Sequence, residues 1–129
     1  MSYETIWEPP HGAYKKLSGI VSKTDVRNAF KALHSDSRYK DLLYILHDSS
    51  EMTGYEFNKE DLLLLFANHL GASVQNPRVR DIVVNSDREY HELICSTLPA
   101  RRLPNSVECF FTLAEARARI DEILLASAS

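Results

Sequence analysis

Asp81-Ile82-Val83-Val84-Asn85-Ser86-Asp87-Arg88-Glu89 is the stretch that decides the fold: a short extended apolar run breaks straight into a helix start. Ser86 stands three residues ahead of Glu89, so its hydroxyl can accept a bond from an unpaired helix N–H while the acid answers in return. The same grammar recurs at Ser22/Asp25, Asn58/Asp61 and Thr112/Glu115. Three of these starts follow directly on extended runs, to Val21, Val84 and Phe111, and Asn58 follows one through a short loop. Strand leading into capped helix, repeated, predicts an α/β sheet with its helix N-termini gathered along one edge.

The remaining segments fill in that plan. Residues 3–8 alternate as a strand, Pro9-Pro10-His11-Gly12 makes a turn, and residues 13–21 resume extended, which predicts an antiparallel hairpin. Val26, Ala29, Phe30 and Leu33 have the spacing of an amphipathic helix, and residues 42–46 form a continuous apolar strand. Residues 48–57 read as a polar, irregular connection. Residues 62–66 are apolar nearly all round, so the second helix is expected to be the most buried. Tyr90, Leu93, Ile94 and Leu98 carry a third helix closed by Pro99; after a last strand at 107–111, Leu113, Ala116, Ile120 and Leu124 carry a fourth. The order is β-β-α-β-α-β-α-β-α. It predicts one α/β domain over residues 1–129: a mixed, mostly parallel sheet with an N-terminal hairpin and four helices.

Composition excludes several classes. A net charge of −3 gives no general electrostatic reason to bind nucleic acid or an anionic membrane. The longest apolar run, residues 62–67, is far too short to span a bilayer. The opening Met-Ser-Tyr-Glu-Thr-Ile-Trp lacks a basic segment followed by an apolar stretch, so the expected compartment is the cytosol, with Cys95 and Cys109 as free thiols.

Four segments, in this order and spacing, resemble the STAS superfamily, in particular its SpoIIAA-like branch. They are Leu17-Ser18-Gly19-Ile20-Val21-Ser22, Leu42-Leu43-Tyr44-Ile45-Leu46-His47-Asp48, Asn76-Pro77-Arg78-Val79-Arg80-Asp81-Ile82-Val83-Val84 and Phe111-Thr112-Leu113-Ala114-Glu115-Ala116. The resemblance implies a non-catalytic regulatory domain with a protein partner and no cofactor. In regulatory members a serine at the start of the second helix, within Asp-Ser-Ser-Gly, is phosphorylated by a partner kinase. Here Glu56-Phe57-Asn58-Lys59 stands at that place, with no hydroxyl at the switch position. Ser49, Ser50 and Thr53 are nearby hydroxyls, though Asp48 and Glu51 make added negative charge costly. Other relatives have been suggested to hold small or lipid-like ligands, so a carrier with an apolar pocket between the second helix and the sheet is the competing expectation.

The candidate partner- or ligand-binding residues lie where strands end and helices begin: Asp48, Ser49, Ser50, Tyr55, Asn58, Ser86 and Asp87, with Thr112 beside them. Helix starts attract anions, so a small apolar or anionic ligand is a second expectation for this rim, although capping side chains already occupy many of the donors. No catalytic residue or metal site is assigned. His47, Asp48 and Ser49 resemble hydrolase parts, but strand neighbours point to opposite faces and cannot converge. His91 and Cys95 share a helix face at the spacing of a metal or activated-thiol pair, yet lack further ligands and read as boundary packing. Arg78, Arg80, Arg101 and Arg102 follow helix C-termini, where cations compensate the dipole. Trp7, Tyr14, Phe30, Tyr39, Tyr44, Phe66, Phe110 and Phe111 have core spacings. Trp7 and Tyr14 lie on an edge hairpin that a partner subunit in a homodimer could cover.

Overall fold

The computed structural model describes residues 2–73, 75–97 and 107–128. β1 (Tyr3–Glu8) and β2 (Gly12–Ser22) form the antiparallel hairpin. Strand passes into α1 (Lys23–Ser35) through a complete capping box: Ser22 Oγ accepts from the Asp25 N–H, and the Asp25 carboxylate accepts from the Ser22 N–H. A 3-10 turn at Tyr39–Asp41 leads into β3 (Tyr44–Glu56). Then follow α2 (Lys59–Ser73), β4 (Arg80–Val84), α3 (Arg88–Thr97), β5 (Val107–Phe110) and α4 (Leu113–Ala128). The sheet runs β1-β2-β3-β4-β5, parallel from β2 onward, with the hairpin strand β1 antiparallel at one edge.

Period-two alternation divides the strands between two layers. Leu17, Val21 and Val83 face α1, α2 and α3, where Val26, Phe30, Leu62, Phe66, Tyr90 and Ile94 close the larger core. Leu46, Ile82 and Val84 face the opposite way, onto Ala116, Ile120 and Ile123 of α4. Burying each such aliphatic side chain contributes roughly 1.5–3 kcal/mol, so both faces anchor the sheet. The hairpin is tied across the second layer by Glu8, which accepts two bonds from Arg117 of α4 (2.8 and 2.7 Å) and one from the Tyr44 hydroxyl of β3.

Several expectations are corrected. Residues 49–56 are not an irregular connection: they continue β3, held by pairing with β2 as far as Ser22↔Glu56. α2 is not apolar all round. Leu62, Leu65 and Phe66 are buried, but Leu64 is 66% exposed. The start of α3 lies one residue later than predicted: Asp87, not Ser86, is the cap, its carboxylate accepting from the Tyr90 N–H at 2.8 Å. An aspartate caps as well as a serine, and this phase turns Tyr90, Ile94 and Thr97 inward. The Asn58/Asp61 and Thr112/Glu115 boxes form as predicted. Phe111 is a surface residue, 44% exposed and stacked on His91. Leu98, Pro99, Arg101, Arg102 and Pro104 lie outside the described residues.

β4 pairs with β3 only from Tyr44↔Arg80 to Asp48↔Val84, whereas β2 and β3 run on together to Glu56. The last eight residues of β3 therefore extend beyond the end of β4 as a two-stranded ribbon, on the order of 25 Å long at strand rise. The sheet edge is stepped. α3 and α4 start near the inner level, and α1 and α2 start at the ribbon tip.

Candidate functional site

That step separates the predicted rim residues. Asn58 sits at the ribbon tip, exposed and committed to capping α2. Asp48 faces the α4 layer, where it accepts from the Tyr14 hydroxyl and from the Ser50 N–H. Ser50 and Ser86 are exposed and line no cavity described here. Ser49, Tyr55 and Asp87 do come together, with Thr53, Asn85 and Tyr90, around a cleft of about 240 Å³ between the ribbon and the start of α3.

Asn85 is the residue of this cleft that sequence reasoning passed over. It is 1% exposed, and neither its amide nitrogen nor its amide oxygen has a partner among the described residues. Leaving such a group unsatisfied costs about 1–3 kcal/mol. Its main chain is held, the N–H donating to the Phe110 carbonyl at 3.0 Å. The available signal was a polar side chain ending an Ile-Val-Val strand immediately before a helix start. Tyr55 and Tyr90 flank the cleft with ring centroids 5.0 Å apart. Burial raises the pKa of both, with Glu89 and Asp87 adding to the effect on Tyr55, so both hydroxyls stay protonated. The other edge of the cleft is backbone: beyond Asp48 no described strand pairs with the β4-facing side of β3.

A second polar group lies in the larger core. Lys15, His47, His69 and Asp81 are all buried, on β2, β3, α2 and β4. Asp81 accepts from Nε2 of His47 at 2.8 Å and from Nε2 of His69 at 3.0 Å. On its other side the His69 ring continues the chain of bonds, its Nδ1 lying 2.8 Å from Nε2 of His34. Lys15 Nζ lies 3.8 Å from the centre of the Phe30 ring. Burial pushes the Lys15 pKa down to about 7, opposed by the charge of Asp81. Burial, together with Lys15, holds His47 at about 4, and burial with His69 and Lys15 holds His34 at about 4, so both imidazoles are neutral at pH 7. Burial alone would raise Asp81, but His69 and His47 reverse this and keep it ionised.

His47, His69 and Asp81 bring three donor atoms within 4.8 Å of one another, the donor types of a three-ligand zinc centre. Those atoms already satisfy one another, and the Asp81 charge favours the protonated form of buried Lys15 nearby. A divalent ion would displace both imidazole bonds and add charge beside a buried ammonium, a costly exchange. The arrangement is a closed polar network. As the alternation argument requires, His47 and Asp48 point to opposite layers, and His47 is one bond from Asp81.

His91 and Cys95 do share a face, with Sγ 3.4 Å from Nε2, and burial pushes the neighbouring Cys109 thiol up, further raised by Cys95. Arg80 pairs loosely with Glu108 (3.8 Å), which Arg119 also holds at 2.8 Å. The edge aromatics are covered by the chain's own arginines, Arg38 over Trp7 at 3.9 Å and Arg117 over Tyr14 at 5.3 Å. No described helix is long and apolar enough to cross a membrane.

No family model matches the sequence, and no curated protein matches it significantly. Solved structures do. The anti-sigma factor antagonist SpoIIAA in its unphosphorylated form superposes with a TM-score of 0.62 at 11% identity, over 92% of this chain and 97% of that one. An uncharacterized protein of the DUF3478 family from Shewanella loihica PV-4, described as having a SpoIIAA-like fold, gives a TM-score of 0.56 at 14% identity, over 90% of each chain. Element order, sheet topology and these likenesses agree: this chain has the SpoIIAA-like fold.

Proposed function

We propose that this chain is a non-catalytic, cytoplasmic regulatory module of STAS type that binds a protein partner at the step in its sheet. The partner supplies an extended segment that lies along the unpaired side of β3, residues 49–56, and enters the cleft beside α3. Adding a strand to an open edge satisfies main-chain donors and acceptors without demanding one side-chain sequence. The observation that carries the reading is Asn85, a buried amide with a free donor and a free acceptor beside that edge. A carboxamide can bond both ways with a passing peptide unit, which a lone carboxylate or ammonium cannot do. Asp87 and Glu89 on the α3 side favour a basic segment. The fold neighbour SpoIIAA, an anti-sigma factor antagonist, lends the general idea of regulation by protein contact.

Asn85→Leu separates function from stability, because it removes an unsatisfied amide while keeping the same branched heavy-atom skeleton. The variant should fold with unchanged or higher stability and lose the partner captured by the wild-type protein from its native host. Cross-links in the wild-type complex should map to residues 49–56 and 85–90. Equal capture by the variant, or cross-links confined to another face, would refute the reading.

A further inference from the structure

α1 and α2 line a second open groove of about 490 Å³, which shares no residue with the cleft at the sheet step and is within the size range of small-molecule sites. Its walls are Phe30, Leu65 and the imidazoles of His34 and His69. At its rim stand Arg27 and Lys31, one helical turn apart on α1. Neither has a carboxylate partner among the described residues, so both are free to meet an anion. Among the described residues no carboxylate lines the groove.

We propose that this groove binds a small amphipathic anion, a carboxylate with an apolar body. The apolar body lies on Phe30 and Leu65, and the carboxylate takes charge-assisted bonds from Arg27 and Lys31. Its walls are set before the ligand arrives: Phe30 stacks on His69 with centroids 4.5 Å apart, and the His34–His69 bond is anchored on buried Asp81. Ordering done in folding need not be done again in binding. A free inorganic anion would leave the apolar walls uncovered, and a neutral hydrocarbon would leave both cations unused.

The probe is decanoate below its micellar concentration, titrated into the full chain and followed by ¹H–¹⁵N NMR. Saturable shifts are expected at residues 27–35 and 64–69, with a dissociation constant below about 1 mM. Decan-1-ol should bind about tenfold more weakly, and the Arg27→Gln/Lys31→Gln double variant should lose about tenfold in decanoate affinity while melting normally. Asn85→Leu should bind decanoate like wild type, which keeps this site distinct from the partner cleft. The proposal is overturned by the absence of saturable shifts, by shifts centred on residues 49–56, or by equal affinity for acid and alcohol or for wild type and the double variant.

Discussion

His47 and Asp81 meet diagonally across the β3–β4 pair: Asp81 is in register with Ile45, and its Oδ1 reaches the next same-face residue, His47, at 2.8 Å. That carboxylate takes the His47 side-chain bond and one end of the His34–His69 relay. Removing it should leave the Lys15 ammonium buried without a counter-charge and both imidazole N–H groups without an acceptor. Asp81→Ala is therefore expected to cost about 3–5 kcal/mol in urea unfolding. Lys15→Met in that background should restore a good part of the loss, since it removes the uncompensated charge. Strict additivity of the two substitutions would show that Lys15 and Asp81 do not interact.

The same buried groups set the pH dependence of stability. Lys15 titrates near 7 in the folded chain against about 10.4 when unfolded. Between those values the unfolded state holds a proton that the folded state has released, so stability rises with pH there. His47 and His34, at about 4 against about 6.5, act in the same direction at lower pH: stability falls as pH drops from about 6.5 to 4. Tyr39 and Tyr44, raised to about 12 chiefly by burial, reverse the trend above about 10, where the unfolded chain loses their protons first. Thermal unfolding should thus peak between about pH 8 and 10. Lys15 sits among Asp81, His47, His69 and His34, so the diagnostic variant is Lys15→Met, which should flatten the limb between pH 7 and 10 and shrink the acid limb without removing it, since burial remains the first cause of the His47 and His34 shifts. A maximum near pH 5 to 6 would contradict this account.

How much of this was legible in the sequence depends on distance along the chain. The boxes at Ser22, Asn58 and Thr112 are local, and each formed where it was read. The ribbon was missed because Ser49, Ser50, Glu51 and Gly54 have weak strand character, and pairing with β2 holds them extended. The buried network is non-local, yet phase betrayed two of its members. Lys15 falls between Ala13 and Leu17 on the inward positions of β2, and His69 lies seven residues after Leu62 on the buried stripe of α2. A polar residue in phase with a core is the signal to follow, though nothing local says which partners it will meet.

Gly12 closes the hairpin where a side chain has no room: a Cβ there would overlap the Tyr44 ring. The ring cannot swing away freely, because its hydroxyl is bound to Glu8, itself clamped by Arg117. Gly12→Ala should destabilise by about 1–3 kcal/mol in denaturant unfolding. Tyr44→Phe combined with Gly12→Ala should recover part of that, since the freed ring can shift. No recovery would mean that the hairpin backbone, rather than the clamped ring, sets the cost.

Ser86 and Asp87 offer two adjacent candidates for one cap, and only one is bonded. Asp87 accepts from the Tyr90 N–H, and its carbonyl takes the His91 N–H at 2.9 Å, whereas Ser86 is exposed and its hydroxyl has no partner among the described residues. Asp87→Ala should cost about 1 kcal/mol and raise amide exchange in the first turn of α3. Ser86→Ala should fall within about 0.5 kcal/mol of wild type. The comparison also bears on the cleft, because Asp87 lines it and frames Asn85 from the helix side. If fraying α3 loosens that wall, Asp87→Ala should weaken partner capture more than its stability loss accounts for, and Ser86→Ala should leave capture intact. The reverse order of effects, in stability or in capture, would place the start of α3 at Ser86 and move the cleft wall with it.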